Sequence, residues 1–250
     1  GWGVRDETWS TSAMLERYGA ETWFGLGDRD MATHIRRTQL RRGGRSLTQA
    51  TAELAARLEV PASLLPMTDD EVRTEIRTPD GWLEFQEYFV KRGQRDEVLE
   101  IRRQGIDEAR PTTQVLEAIA GAALIVIAPS NPFVSVGTIL ALRGMLQALL
   151  AAVAPIVAVS PVVGGAALRG PADRMLRSLG GTASAAGVVV HYRGQYPGLV
   201  DVFVLDEVDA AEVPALEAAG ARIELLPTVM RTYEDRCVLA GAILDRHLRD

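Results

Sequence analysis

The order of hydrophobic and polar positions divides this chain into three stretches. In the first, apolar residues recur at helical spacing. Thr8 to Tyr18 reads as a short helix closed by Gly19, and Asp28 to Arg42 as a longer one ending at Gly43-Gly44. Ser46-Leu47-Thr48-Gln49 is a capping box that opens a third helix running to about Glu59, before Pro61. In the second stretch the period changes. Val72, Thr74, Ile76 and Thr78 alternate with charged residues as a half-buried strand does. Pro79-Asp80-Gly81 is a turn, and Trp82 to Val90 alternates again, which predicts an antiparallel hairpin. Lys91 to Arg110 is charged and poorly periodic, and is read with the hairpin as an insertion over residues 71–110, either a lid or a dimer contact.

From Pro111 the pattern is regular. Helix 112–121, strand 123–128, helix 136–151, strand 155–159 and helix 171–179 follow one another. Strand 199–205, helix 209–219, strand 222–227 and helix 232–248 complete the series. Ala185 to Tyr196 has the β-branched run Val188-Val189-Val190. It is nevertheless read as helical, because two parallel strands need a crossover between them. The expectation is a single α/β domain over residues 1–250 with a Rossmann-like, doubly wound parallel sheet, helices on both faces and the small antiparallel insertion.

The chemistry is expected where strands run into helices. Strand 123–128 leads into Ser130-Asn131-Pro132-Phe133-Val134-Ser135-Val136-Gly137-Thr138. Unpaired N–H groups at a helix start attract phosphate, and short hydroxyls, an amide and a glycine suit close approach of a ligand. The same Ser-Asn-Pro run is also a good helix cap, and the two readings stand level. A second loop, Ser160-Pro161-Val162-Val163-Gly164-Gly165, follows strand 155–159. Two such loops at the ends of neighbouring strands predict a cleft for a phosphorylated ligand. For Ser160 the site reading leads. Arg169, ahead of the helix at Pro171, is read as a solvated residue of a βα connection.

Composition narrows the function classes. The 250 residues are 47% hydrophobic with a net charge of −6, which argues against a broad nucleic-acid surface. Arg36-Arg37, Arg41-Arg42 and Arg45 are read as a solvated helix face. Cys237 is the one cysteine, so no intrachain disulfide or cysteine-based zinc site is available, which fits a cytoplasmic location. It is read as a packed thiol. No apolar run reaches the ~18 residues of a membrane span. HExxH, GxSxG, Walker A and GxGxxG motifs are missing, so zinc hydrolases, serine esterases and dinucleotide dehydrogenases lose support. The chain opens at Gly1 on a helix rather than a strand, so a preceding segment with a Gly-rich turn is expected.

Three further positions carry candidate chemistry. Asp28 is a natural N-cap, but Arg29 beside it opposes the helix dipole and is a candidate ligand contact. Asp69 and Asp70 are adjacent carboxylates, suited to a metal, to a base or to a turn. Asp206-Glu207 with Asp209 is read as a turn.

Taken together these runs resemble the 2-phospho-L-lactate transferase (CofD) family of coenzyme F-420 biosynthesis. The matching runs are WGVRDETW (Trp2 to Trp9), LGDRDMATH (Leu26 to His34), LLPMTDD (Leu64 to Asp70) and FQEYFVKRG (Phe85 to Gly93). They continue with APSNPFVSVGTIL (Ala128 to Leu140), VSPVVGG (Val159 to Gly165), RGPA (Arg169 to Ala172) and DVFVLDE (Asp201 to Glu207). The resemblance implies transfer of a phospholactyl or phosphoenolpyruvyl group from a GDP-activated donor to a hydroxyl of the deazaflavin Fo, with release of GMP. It implies Mg²⁺, with ligands in acidic motifs ahead of Gly1, so no metal ligand is assigned within the chain. By position it makes Arg29 the deazaflavin contact. Ser130, Asn131, Ser135 and Gly137 become part of the GDP pocket, with Ser160 and Gly164 as contributors from the second loop. Asp69 and Asp70 are weaker candidates, and no catalytic residue is assigned. The expected partners are these small molecules and a second copy of the chain, with no nucleic acid and no membrane. A regulator of the YvcK-like gluconeogenesis factor type, binding nucleotide sugars on the same fold, is the alternative.

Overall fold

The computed structural model describes residues 4–248, so Trp2 and Gly3 of the first matching run lie outside the described residues. Helices α1 (Ser10–Arg17), α2 (Asp28–Arg42) and α3 (Leu47–Arg57) open the chain. The capping box is present: Ser46 Oγ accepts from Gln49 N, and the Gln49 side chain accepts from Ser46 N. Then come β1 (Arg73–Thr78), β2 (Gly81–Glu84), a helical turn at Glu87–Lys91, and β3 (Glu100–Gln104). These strands form an antiparallel sheet in the order β2-β1-β3.

Two details of this region differ from the sequence reading. The strand predicted over Trp82 to Val90 stops at Glu84, and the chain then coils. Phe85, Tyr88 and Phe89 lie at i, i+3 and i+4, which is helical spacing. Phe85 and Phe89 stack with centroids 5.3 Å apart, and Tyr88 is buried against Ile76, Val98 and Met175. The stretch Lys91 to Arg110 contains β3, which adds a third strand to the expected hairpin.

The main body follows: α4 (Thr113–Ala120), β4 (Ile125–Ile127), a wide helical turn at Pro132–Val136, α5 (Gly137–Leu140), α6 (Met145–Leu150) and β5 (Ile156–Val159). Next are β6 (Val162–Val163), β7 (Ala166–Ala167), α7 (Ala172–Ser178) and α8 (Ala185–Gln195). The chain ends with β8 (Val202–Asp206), a tight helical turn at Glu207–Glu212, α9 (Val213–Ala218), β9 (Ile223–Leu226) and α10 (Tyr233–His247). The helix expected over 136–151 is broken in two, because Gly144 adopts a left-handed φ of 92°. The second loop is not a plain connection but a β6-β7 hairpin, with Gly164 (φ 57°) and Gly165 (φ 80°) forming the two-residue turn.

The parallel sheet has the order β4-β5-β8-β9 and is covered on both faces, as expected. On one face Ile156, Ala158, Phe203, Leu205 and Ile223 pack against α6, α7, α8 and α9. On the other, Val157, Val159, Val202, Val204 and Leu226 meet Leu239 and Ile243 of α10. Val157 and Val204 are fully buried, and each such side chain stabilises the fold by about 1.5–3 kcal/mol. The small sheet joins this body through Met175 of α7 and through Phe133 and Val134. Cys237 is exposed rather than packed: the inward row of α10 is Leu239 and Ile243, and Cys237 falls outside it. No helix among the described residues is long and apolar enough to cross a membrane.

Candidate functional site

Strands β4 and β5 are parallel neighbours, so the loops that leave their C-terminal ends lie at one edge of the sheet. In the first loop Asn131 Oδ1 accepts from Phe133 N at 2.8 Å and Val134 N at 3.1 Å. The N–H groups of Ser135 and Val136 donate to Asn131 O at 3.2 and 3.1 Å. The expected row of unpaired N–H groups is therefore absent from residues 133–136; the Asx cap and the turn consume them. Asn131 Nδ2 donates to Met175 Sδ at 3.3 Å. The hydroxyls of Ser130 and Ser135 are different. Both residues are half-buried, and neither side chain makes a hydrogen bond among the described residues.

Behind this turn lies a group that the sequence reading missed. Arg103 of β3 donates from Nη2 to Phe133 O at 2.7 Å and from Nε to Thr138 Oγ1 at 3.0 Å. Thr138 Oγ1 in turn donates to Val134 O at 2.9 Å. Arg103 forms no ion pair among the described residues, and burial lowers its pKa. A Cβ on Gly137 would stand 2.7 Å from Pro132 O and 3.2 Å from Arg103 Nη2, so the turn closes on the guanidinium only with glycine there. The sequence did hold a signal. Arg103 follows Ile101 by two positions in a strand, on the face that carries the buried cluster of the small sheet.

Beside Phe133 a cleft of about 460 Å³ runs along α8, lined by Ser184, Gly187, Val190, His191 and Gly194. The His191 ring centroid is 4.5 Å from that of Phe133. His191 Nε2 is buried without a hydrogen-bond partner, and burial lowers the pKa of the ring, which favours the neutral imidazole. Tyr192 and Tyr196 extend the aromatic group, with centroids 6.1 Å apart.

In the second loop Ser160 Oγ donates to Val162 O at 2.9 Å and accepts from Val162 N at 3.2 Å, so its hydroxyl serves its own turn. Gly164 N donates to Asp209 Oδ1 at 3.0 Å. Asp209 is 5% exposed, its Oδ2 has no partner, and burial raises its pKa.

The remaining candidates sit elsewhere. Asp69 Oδ1 accepts from Thr48 N at 2.7 Å, at the start of α3. Burial alone would raise its pKa, but hydrogen bonds from Thr48 and Ser46 and the charge of Arg41 outweigh it and hold the carboxyl low. Asp70 Oδ2 accepts from Arg110 N at 3.0 Å and from Thr68 Oγ1 at 3.2 Å. Arg29 is exposed at the first turn of α2, and its Nη1 donates to Arg5 O at 2.8 Å. Among the described residues no group of three or more His, Cys, Asp or Glu side chains is placed to hold a metal ion.

Comparison with known proteins agrees with this architecture. Two structures of protein BH3568 from Bacillus halodurans, a UPF0052 family member, superpose with TM-scores of 0.61 and 0.58. They are 18% and 16% identical, covering 88% and 82% of this chain and 72% and 70% of theirs, and so show the fold alone. The phosphoenolpyruvate transferase of Kitasatospora aureofaciens is 43% identical over 98% of this chain and 77% of its own length. The 2-phospho-L-lactate transferase of Methanosarcina acetivorans is 38% identical over 97% of this chain and 77% of its own. Residues 5–222 match the family described as 2-phospho-L-lactate transferase CofD, and the chain belongs to that family of transferase enzymes.

Proposed function

We propose that the protein transfers a phospholactyl or phosphoenolpyruvyl group from a GDP-activated donor to a hydroxyl of deazaflavin Fo, releasing GMP, in coenzyme F-420 biosynthesis. The observation that carries this reading is Arg103. Arg103 is half-buried and has no carboxylate partner among the described residues, and a neutral donor would serve the same two acceptors. Its charge is explained by an anion at the C-terminal edge of the sheet, where Ser130 and Ser135 present free hydroxyls. In the reaction the Fo oxygen attacks the phosphorus that bears the organic acid. A new P–O bond forms, the P–O bond to GMP breaks, the hydroxyl proton passes to the departing GMP phosphate or to solvent, and a phosphodiester results. Such a transfer asks the protein for positioning and charge neutralisation rather than for a covalent intermediate. Gly137 and Thr138 hold the turn against Arg103, and Arg29 is the proposed deazaflavin contact.

Mg²⁺ would neutralise the diphosphate, but the described residues do not supply a set of ligands for it. Asp206 is taken by Thr228 and Val208, and the free oxygen of Asp209 is buried on a carboxyl whose pKa is raised. A cytoplasmic homodimer is part of the same proposal, and sedimentation checks the oligomeric state.

A fluorescence titration of Fo, with and without GDP, tests the reading. Saturable Fo binding that responds to GDP, with GMP formed when a GDP-activated acid is added, is the expected result. Binding of UDP-sugars with no response to Fo would overturn it in favour of the regulatory alternative.

A further inference from the structure

The arginines that read in sequence as a solvated helix face come together in one place. Arg37, Arg41 and Arg42 of α2, with Arg45 of the following loop, line a shallow, solvent-open concavity of about 560 Å³ that Thr38 and Ser46 complete. Arg37 and Arg41 are one turn apart, as are Thr38 and Arg42, so both rows border the same opening.

Four guanidinium groups in a chain of net charge −6 call for counter-charge. None of the four forms an ion pair among the described residues. The adjacent Arg36 takes Glu53 at 2.7 Å. Asp69 feels the charge of Arg41, but its Oδ1 is held by Thr48 N and it forms no ion pair. Arg37 instead meets His34 Nδ1 at 2.6 Å, and Arg41 donates to Arg45 O at 3.2 Å. The side chains of Arg42 and Arg45 make no hydrogen bond among the described residues. The negative end of the α2 dipole accounts for Arg41 and Arg42 in its last turn. It does not account for Arg37 before that turn or for Arg45 beyond Gly44.

The lining also says what the ligand lacks. Among the described residues no aromatic or aliphatic side chain borders the opening to stack a base or hold a ring. Guanidinium forks match phosphate oxygens in pairs. We propose that this concavity is a second anion site, separate from the turn after β4, that takes a compact multivalent phosphate: free pyrophosphate or the phosphate chain of a nucleotide.

Calorimetric titration with pyrophosphate tests it, using the whole chain and the Arg42→Gln/Arg45→Gln variant. Both side chains are exposed, so the variant should keep the wild-type melting temperature, which is checked first. Saturable binding is expected in the wild type, weaker as NaCl is raised, and at least tenfold weaker in the variant. Competition then names the source. GDP displacing pyrophosphate from the variant-sensitive site assigns a nucleotide's phosphate chain, and failure of GDP to displace it assigns free condensed phosphate. Equal pyrophosphate affinity in wild type and variant, or no binding at all, would sink the proposal. So would GMP competing as well as GDP and pyrophosphate do, because one phosphate would then suffice. The variant should bind Fo like the wild type, so this test and that of the transferase reading fail independently.

Discussion

Asp209 shows how much a single residue can carry that its neighbours in sequence do not announce. Asp206-Glu207 with Asp209 reads as a turn, and the turn is there, with Val208 N donating to Asp206 Oδ1 at 3.2 Å. The partner that matters for Asp209 is Gly164, 45 residues away, and no local pattern could name it. The carboxyl holds the β6-β7 hairpin through Oδ1 while burial raises its pKa. The folded state therefore keeps its proton at pH values where the unfolded chain, with a pKa of about 3.9, has lost it. The contribution of this group to stability is full below that value and falls as pH rises through the folded pKa. Asp209→Asn keeps an acceptor for Gly164 and removes the titration. Its stability at neutral pH should equal or exceed that of wild type, with a flatter pH dependence above about pH 4. Asp209→Ala strands the Gly164 N–H and should cost about 1–3 kcal/mol. Urea unfolding at a series of pH values checks both, and an unchanged slope in Asp209→Asn would remove Asp209 as the titrating group.

Among the elements, helix starts were legible because their caps are local. Ser46 and Gln49 form the box that the sequence announces, and α2 begins at Asp28 as expected. The role of Asp28 is nevertheless different from the one its position suggests. It makes no side-chain cap to α2; instead its carboxylate accepts from Thr8 Oγ1 at 2.6 Å, Ser10 N at 3.1 Å and Thr11 N at 2.9 Å, which caps α1. Glu7 returns the favour by accepting from the N–H groups of Arg29 and Asp30 at the start of α2. The two helices cap each other, and a Cβ at Gly27 would overlap the Glu7 side chain between them. α1 buries none of its residues, so the cap rather than packing holds it helical. Asp28→Ala should release α1, seen as faster amide hydrogen exchange over residues 10–17, with protection in β5 and β8 unchanged. Acid should act alike. The Thr8 hydroxyl, above all, and the N–H donors hold the Asp28 carboxyl far below its ordinary range. Its contribution is present above the unfolded pKa and is lost as pH falls through the depressed one. Protection of α1 that survives the substitution would show that other contacts hold the helix. What misled at this scale was period: WLEFQEYFV alternates like a strand, yet its aromatic residues at i, i+3 and i+4 satisfy a helical turn as well, and burial of Tyr88 decides for the turn.

Across the whole molecule, the parallel sheet was readable because each βα unit repeats a short local grammar. The contact between the small sheet and the main one was not. Arg103 reaches Thr138 across 35 residues, and a charged stretch without clear period hid the strand that carries it. This contact is also where architecture meets the proposed chemistry, since β3 belongs to one sheet and the Pro132–Val136 turn follows a strand of the other. If Arg103 only braced the two sheets, a neutral donor of similar reach would do. Arg103→Gln should then keep both the fold and GDP affinity. If its charge is what the anion needs, the fold should still hold, with a melting temperature close to that of wild type, because the half-buried guanidinium forms no ion pair among the described residues and glutamine keeps a donor. GDP affinity should fall at least tenfold, about 1.4 kcal/mol, with a shallower salt dependence. Arg103→Lys keeps the charge but not the fork that spans Phe133 O and Thr138 Oγ1, so it should recover part of the affinity at reduced thermal stability. Titrations of GDP at two ionic strengths against the three proteins separate these cases. Equal affinities and slopes would confine Arg103 to bracing the sheets, and would move the anion's counter-charge to another part of the molecule.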